Sequence, residues 1–122
     1  MKKVLIIEDD PPYRKIYKKK FELEGYTVEV AENGLEGLEK MRVFRPDIVF
    51  LDLMMPKMDG FQVLDQINTE VALRSIPVII LTNLSTTDDA GKVMLKGAIA
   101  VLVKSDTDPS TLVKKADEIL SR

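Results

Sequence analysis

The chain has 122 residues, a formal net charge of -2 and 45% hydrophobic residues, which fits one domain burying about two-thirds of the surface its unfolded form exposes. The balance of acidic and basic residues lacks the excess of positive charge that a nucleic-acid surface needs. The absence of cysteine excludes disulfides, thiolate catalysis and zinc-thiolate sites and suits a reducing cytoplasm. No apolar stretch approaches the roughly 20 residues that span a bilayer, so neither nucleic acid nor membrane is expected as a partner.

The first element is the apolar run Val4-Leu5-Ile6-Ile7, stopped by Glu8-Asp9-Asp10. Lys2-Lys3 ahead of it superficially resembles a secretory signal, but the run is too short for one and reads as a strand. Pro11 and Pro12 suit the opening turn of a helix that runs to about Glu24, and Gly25 suits its left-handed C-terminal cap. Asp10, beside Pro11, fits the N-cap of that helix. Arg14, Lys15 and the run Lys18-Lys19-Lys20 lie along it and read as a solvated face.

A second strand is expected from Thr27 to Ala31, followed by the turn Asn33-Gly34. The next helix carries Leu35, Leu38, Met41 and Val43 close to helical spacing and ends at Arg45-Pro46. Ile48 to Leu51 forms a third strand, with Asp52 at its end. A third helix begins after Gly60 with Phe61, Val63, Leu64 and Ile67. The fourth strand is Val78 to Leu81, and the helix after it follows Ser85-Thr86-Thr87-Asp88. A fifth strand runs from Ile99 to Val103, and the last helix has Asp108 as N-cap and Pro109 at its first position. Strands that read as continuous apolar runs, alternating with helices, predict an α/β class: a doubly wound five-stranded parallel sheet with five helices on its two faces, a three-layer αβα sandwich.

In such a sheet ligands bind beyond the carboxyl ends of the strands, where the winding reverses. The residues delivered there are Glu8 and Asp9 after the first strand, Asp52 after the third, Thr82 after the fourth and Lys104 after the fifth. Clustered carboxylates repel one another unless a cation or protons neutralise them, and hard oxygen ligands without Cys or His point to Mg²⁺. Its open coordination positions suit a phosphoryl oxygen. Asp52 is then a candidate nucleophile toward phosphorus, with Lys104 as a second positive charge and Thr82 as a hydroxyl donor. An N-cap role for Asp9, Asp10 or Asp52 is the alternative at each position taken singly. It does not account for five such residues emerging at one end of the sheet.

With these residues in place, the chain resembles the receiver domain of two-component response regulators over essentially its whole length. Val4-Leu5-Ile6-Ile7-Glu8-Asp9-Asp10 looks like the acidic end of the first strand. Asp52 with Met55-Pro56, Met58 and Asp59-Gly60 looks like the phosphoacceptor loop, and Ile80-Leu81-Thr82 and Lys104 fall where the family keeps its hydroxyl and its lysine. The resemblance implies a flavodoxin-like (βα)5 fold, similar to stand-alone chemotaxis regulators, over residues 1–122. It implies that Asp52 accepts a phosphoryl group from a phosphohistidine on a sensor histidine kinase or a histidine phosphotransfer protein. Mg²⁺ would be held by Asp9, Asp52 and the backbone carbonyl of Met54, with Glu8 acting through water. The chain has no histidine and no ATP-binding phosphate loop of the G-x-x-x-x-G-K-[ST] type, in keeping with a donor supplied by another protein.

Three positions depart from the family pattern. Ser105 stands where a typically cis proline follows the lysine; for a non-proline residue a cis bond costs about 3 kcal/mol, so a different loop path is expected. Val101 replaces the aromatic that turns inward on activation, which leaves backbone shifts to carry the change. Asn83 replaces a small residue after the threonine and narrows the approach to Asp52. Met54 and Leu84, at positions that influence hydrolysis of the acyl phosphate, are bulky and apolar and are expected to exclude the attacking water. Helix four, from about Thr86 to Lys96, and the fifth strand form the family's usual signalling face, where helical spacing places at least one of Met94 and Leu95 in the core.

The reading is therefore a cytoplasmic, single-domain phosphorelay switch that acts on itself rather than turning over a substrate and changes a protein-interaction surface for an unidentified output partner. No output segment follows Arg122, as in a stand-alone regulator or a receiver excised from a longer chain. A haloacid-dehalogenase-like phosphohydrolase would need an acid two residues after the nucleophile, where Met54 stands. A receiver-like docking module without phosphorylation is the other alternative, encouraged by Ser105 and Val101.

Overall fold

A computed structural model describes residues 2–83 and 87–121, except for the side chains of residues 87 and 88. Five strands, β1 (Lys3–Ile7), β2 (Thr27–Ala31), β3 (Ile48–Asp52), β4 (Val78–Thr82) and β5 (Ala100–Val103), alternate with α1 (Pro11–Leu23), α2 (Gly34–Phe44), α3 (Gly60–Asn68), α4 (Thr87–Leu95) and α5 (Pro109–Leu120). The strands form one parallel sheet in the order β2-β1-β3-β4-β5. The chain therefore winds outward from β1 in one direction to β2 and in the other through β3, β4 and β5, reversing beside β1 and β3. No described helix is long and apolar enough to cross a membrane.

The apolar runs follow from burial on both faces, because successive strand residues point to opposite sides. Leu5, Ile7, Val49, Leu51 and Ile80 face one core with Leu38 and Met41 of α2 and Val63, Leu64 and Ile67 of α3. Val4, Ile6, Ile48, Phe50, Ile79 and Leu81 face the other with Tyr17 and Phe21 of α1 and Leu112, Val113 and Ala116 of α5. Each buried Val, Leu, Ile, Phe or Met side chain among these contributes about 1.5–3 kcal/mol by leaving water. The inner strands β3 and β4 are buried at every position, whereas edge strand β5 is only partly covered.

Helix ends agree with the sequence chemistry at four places. Gly25 adopts φ +89° after α1, the Asn33 side chain accepts from Glu36 N–H at the start of α2, Asp59 and Gln62 form a capping box at α3, and Asp108 accepts from Thr111 N–H at α5. Asp10 differs: it occupies the N-cap position of α1 but its side chain makes no capping bond. The Ser85-Thr86-Thr87-Asp88 cap expected for α4, and an α4 start at Thr86, fall outside the described residues or side chains.

Three apolar expectations are corrected. On α2, Leu35 and Val43 are exposed, and the face against the sheet is made by Gly34, Gly37, Leu38 and Met41. The helix lies too close to β1 for larger residues: a Cβ on Gly37 would sit 2.9 Å from Ile7 Cγ1. On α4, Val93 is the buried residue among those whose side chains are described, and Met94 and Leu95 are exposed, Leu95 by 91%. Neither joins the core, because a short helix over a sheet edge buries a single stripe. Ile99 lies outside β5 and is exposed, although its N–H still donates to Val78 O.

Gly60 ties α3 to the end of β3. Its N–H donates to Leu53 O at 2.8 Å, and an added Cβ would meet Leu53 Cα at 2.9 Å and Asp52 O at 3.0 Å, backbone that cannot yield cheaply. Gly60→Ala is expected to destabilise the fold by about 1–3 kcal/mol, read by urea melts, while Gly91→Ala, with open space around it, stabilises or leaves stability unchanged.

Candidate functional site

Where the winding reverses, four polar residues are buried, and they are the only buried polar or charged residues among those described: Glu8, Asp52, Thr82 and Lys104. Parallel register brings them together. Ile7 pairs with Leu51, so Glu8 and Asp52 leave adjacent strands at the same level. Asp52 pairs with Leu81 and Thr82 with Val103, so the residues following those pairs converge on the same edge. Asp52 and Thr82 are the last residues of their strands, one step inside the expected loops, and their backbones are held by the ladder.

Glu8, Asp9 and Asp52 each place a carboxylate oxygen within 4.8 Å of the others. Asp9, Asp52, Met54, Thr82, Asn83 and Lys104 line a cleft of about 320 Å³. Lys104 Nζ forms a short ion pair with Glu8 Oε1 and lies 3.4 Å from Asp52 Oδ2. Burial lowers the Lys104 pKa, but contact with Glu8 and Asp52 outweighs it and raises the value, so this ammonium stays charged. Were all three carboxylates ionised, they would outnumber the one ammonium by two charges, and this crowding opposes their ionisation. Burial first, then the neighbouring Glu8 and Asp9 carboxylates, push Asp52 up to about 9, opposed by Lys104. Glu8 Oε2 is buried with no hydrogen-bond partner, an arrangement that costs free energy unless a donor or a cation arrives. The donor set, its excess charge and this orphaned oxygen fit a hard divalent cation.

The loop after β3 turns through Lys57 at φ +69° and returns to Gly60. Met54 stands at the rim and is 57% exposed, so it does not seal the cleft by its own burial, and Leu84 lies outside the described residues. Asn83 is exposed where it lines the cleft. After Lys104 the chain enters a 3₁₀ turn, Lys104–Asp106, and every described peptide bond is trans, including that to Ser105. Val101 is half-buried and packs against the core cluster that includes Ile80 of β4 and Val93 of α4.

Two contributors were not read from sequence. Arg14 does not belong to the solvated face of α1: its Nη1 donates to Glu8 O at 2.9 Å and Asp9 O at 3.1 Å, clamping the acidic loop. Its position one helical turn beyond Asp10 was the available signal. Lys15, Lys18 and Lys19 are exposed as expected. The Tyr13 ring, with its centroid 4.6 Å from Lys104 Nζ, had no sequence signal, because nothing local relates α1 to the end of β5.

A protein-family model for the response regulator receiver domain matches residues 4–117. Protein PilH of Pseudomonas aeruginosa is 33% identical over 121 residues, covering 99% of this chain and 99% of PilH. The DNA-binding dual master transcriptional regulator RpaA of Synechocystis sp. is 36% identical over 104 residues, covering 85% of this chain but 43% of RpaA; the chain spans less than half of that relative. Among solved structures, chemotaxis protein CheY4 of Vibrio cholerae matches with a TM-score of 0.90 at 30% identity, covering 97% of this chain and 98% of that one. The signal receiver domain of a signal transduction histidine kinase from Syntrophus aciditrophicus matches at 0.89 and 32%, covering 99% and 91%. The chain belongs to the response regulator receiver family, with the flavodoxin-like fold of its members.

Two outcomes follow from this geometry. Asp52 holds its proton to higher pH when folded than its ordinary value of 3.8, so the folded state binds more protons and its contribution to stability falls as pH rises from about 4 to about 9. In urea melts with chelator at pH 5–9, Asp52→Asn is expected to remove that slope and raise stability at neutral pH by roughly 1–3 kcal/mol. Arg14→Ala, by releasing the acidic loop, is expected to weaken Mg²⁺ binding by about 10-fold in calorimetric titration.

Proposed function

We propose that the chain is a phosphoacceptor switch of a two-component phosphorelay, acting as one receiver domain over residues 1–122, in which Asp52 takes the phosphoryl group. The observation that carries this reading is the convergence of Glu8, Asp52, Thr82 and Lys104, the described buried polar residues, at one edge of an otherwise apolar sheet.

A carboxylate oxygen of Asp52 forms a bond to phosphorus as the bond from phosphorus to the donor imidazole nitrogen breaks, and the nitrogen leaves with the electron pair. Charge on the transferring group spreads over three oxygens. Lys104 is already 3.4 Å from Asp52 Oδ2 and meets one of them; the Thr82 hydroxyl donates to another. Asp9, Asp52 and the carbonyl of Met54 would hold Mg²⁺, with Glu8 reaching it through water. When bound, the ion neutralises the carboxylates and polarises a phosphoryl oxygen.

The donor in this reading is a sensor histidine kinase or a histidine phosphotransfer protein, and the output is a contact with another protein. A cytoplasmic location goes with a donor charged from ATP. The chain catalyses only its own modification, with no multiple-turnover substrate. The exposed Met94 and Leu95 of α4 are available to an output partner.

Intact mass after incubation with acetyl phosphate is the test: a gain of one phosphoryl group that needs Mg²⁺ and is lost in Asp52→Asn is expected. No gain, together with no binding of beryllofluoride, would instead mark a docking module that does not use phosphorylation.

A further inference from the structure

Lys104 is held on more sides than its carboxylate partners account for. Its ammonium pairs with Glu8, approaches Asp52, and presents a third face to the ring of Tyr13 in the first turn of α1, 4.6 Å from the ring centroid. That ring is in turn stacked on Tyr17, at 5.6 Å and 29° between planes. Tyr17 is 2% exposed and its hydroxyl has no hydrogen-bond partner, so packing alone, and not a polar tether, sets where the stack lies. The sheet-side residue of the pair is thus fixed, and the cleft-side residue is laid over the cation.

We propose that Tyr13 is a positioning residue for phosphoryl transfer, holding the Lys104 ammonium over the cleft by a cation–π contact; the proposal rests on the phosphoacceptor reading of Asp52. Lys104 must exchange Glu8 for a phosphoryl oxygen when Asp52 is modified. Directed hydrogen bonds to Glu8 are lost in that exchange, whereas attraction to the face of a ring varies little as the ammonium slides across it. The ring therefore keeps the cation desolvated and partnered in both positions. It also links the occupied state of the cleft to α1, through an aromatic on the lysine, in a chain whose β5 carries Val101.

The test compares Tyr13→Leu with Tyr13→Phe, which keeps the ring. Phosphorylation rates with acetyl phosphate at saturating Mg²⁺ are read by intact mass, and the Lys104 ε-methylene proton shifts by NMR. Tyr13→Leu is expected to slow phosphorylation about 3- to 10-fold, in line with loss of one partly buried cation–π contact, with Mg²⁺ affinity unchanged. Tyr13→Phe restores the rate to within about 2-fold of the original, as the ring and not the hydroxyl faces Lys104. The ε-methylene protons lie upfield under the ring current in the unaltered protein and in Tyr13→Phe, and move to ordinary values in Tyr13→Leu.

Equal rates in all three proteins, or equal loss in Tyr13→Phe and Tyr13→Leu, would overturn the proposal. So would ordinary ε-methylene shifts in the unaltered protein, a measurement that stands even if Tyr13→Leu fails to fold. If the unaltered protein takes no phosphoryl group, the phosphoacceptor reading fails; the NMR shifts then still separate a ring over Lys104 from its absence.

Discussion

Lys104 and the three carboxylates around it set the constraint under which the rest of the molecule is built. An ammonium and a carboxylate buried together recover only part of their lost hydration, and here one ammonium contacts Glu8 and Asp52 while Asp9 crowds the same two carboxylates. The cluster is held in place by the sheet, because Asp52 and Thr82 are ladder residues and Glu8 follows a strand buried from Val4 to Ile7. The resting state carries the strain electrostatically: Asp52 is driven toward protonation and Glu8 Oε2 is left without a partner. A site in that condition gains from whatever brings compensating charge, which is the property a switch operated by a cation and a phosphoryl group requires.

The two cores supply the rigidity this needs. Alternate residues of β1, β3 and β4 fill opposite faces, so the strand ends cannot shift without disturbing apolar packing on both sides. Gly37 and Gly60 bring α2 onto β1 and α3 onto the end of β3 at distances a side chain would not permit. Arg14 fastens the acidic loop through two backbone carbonyls, and the Asp59–Gln62 capping box closes the loop that begins at Asp52. Each of these holds backbone near the cleft, leaving the side chains of Lys104 and Thr82 as the parts that can change partners.

The places where local reasoning missed share a cause. Leu35, Val43, Met94 and Leu95 satisfy helical periodicity but point to water, because periodicity identifies a repeating face and not which of two candidate faces meets the sheet. On α2 the buried face contains two glycines, which hydropathy does not mark. Asp10 has the right residue type and place for a cap, yet its side chain makes no capping bond while its carbonyl accepts from Arg14 N–H. Arg14, read within a run of basic residues as solvated, turns back toward the loop, a contact set by the angle at which α1 leaves β1.

Strand order of residue types, continuous apolar runs and turn chemistry were sufficient to determine the α/β class, the parallel sheet and the five residues delivered to one end of it. These are local properties, since a strand's burial and the residue that ends it are written in consecutive positions. The pairing of Lys104 with Glu8 in preference to Asp52, the clamp from Arg14 and the Tyr13 ring over the ammonium were decided only by tertiary structure. They join residues 96, 6 and 91 positions apart in the chain, and such contacts, from the nearest to the farthest, depend on register and helix placement, which no single segment encodes.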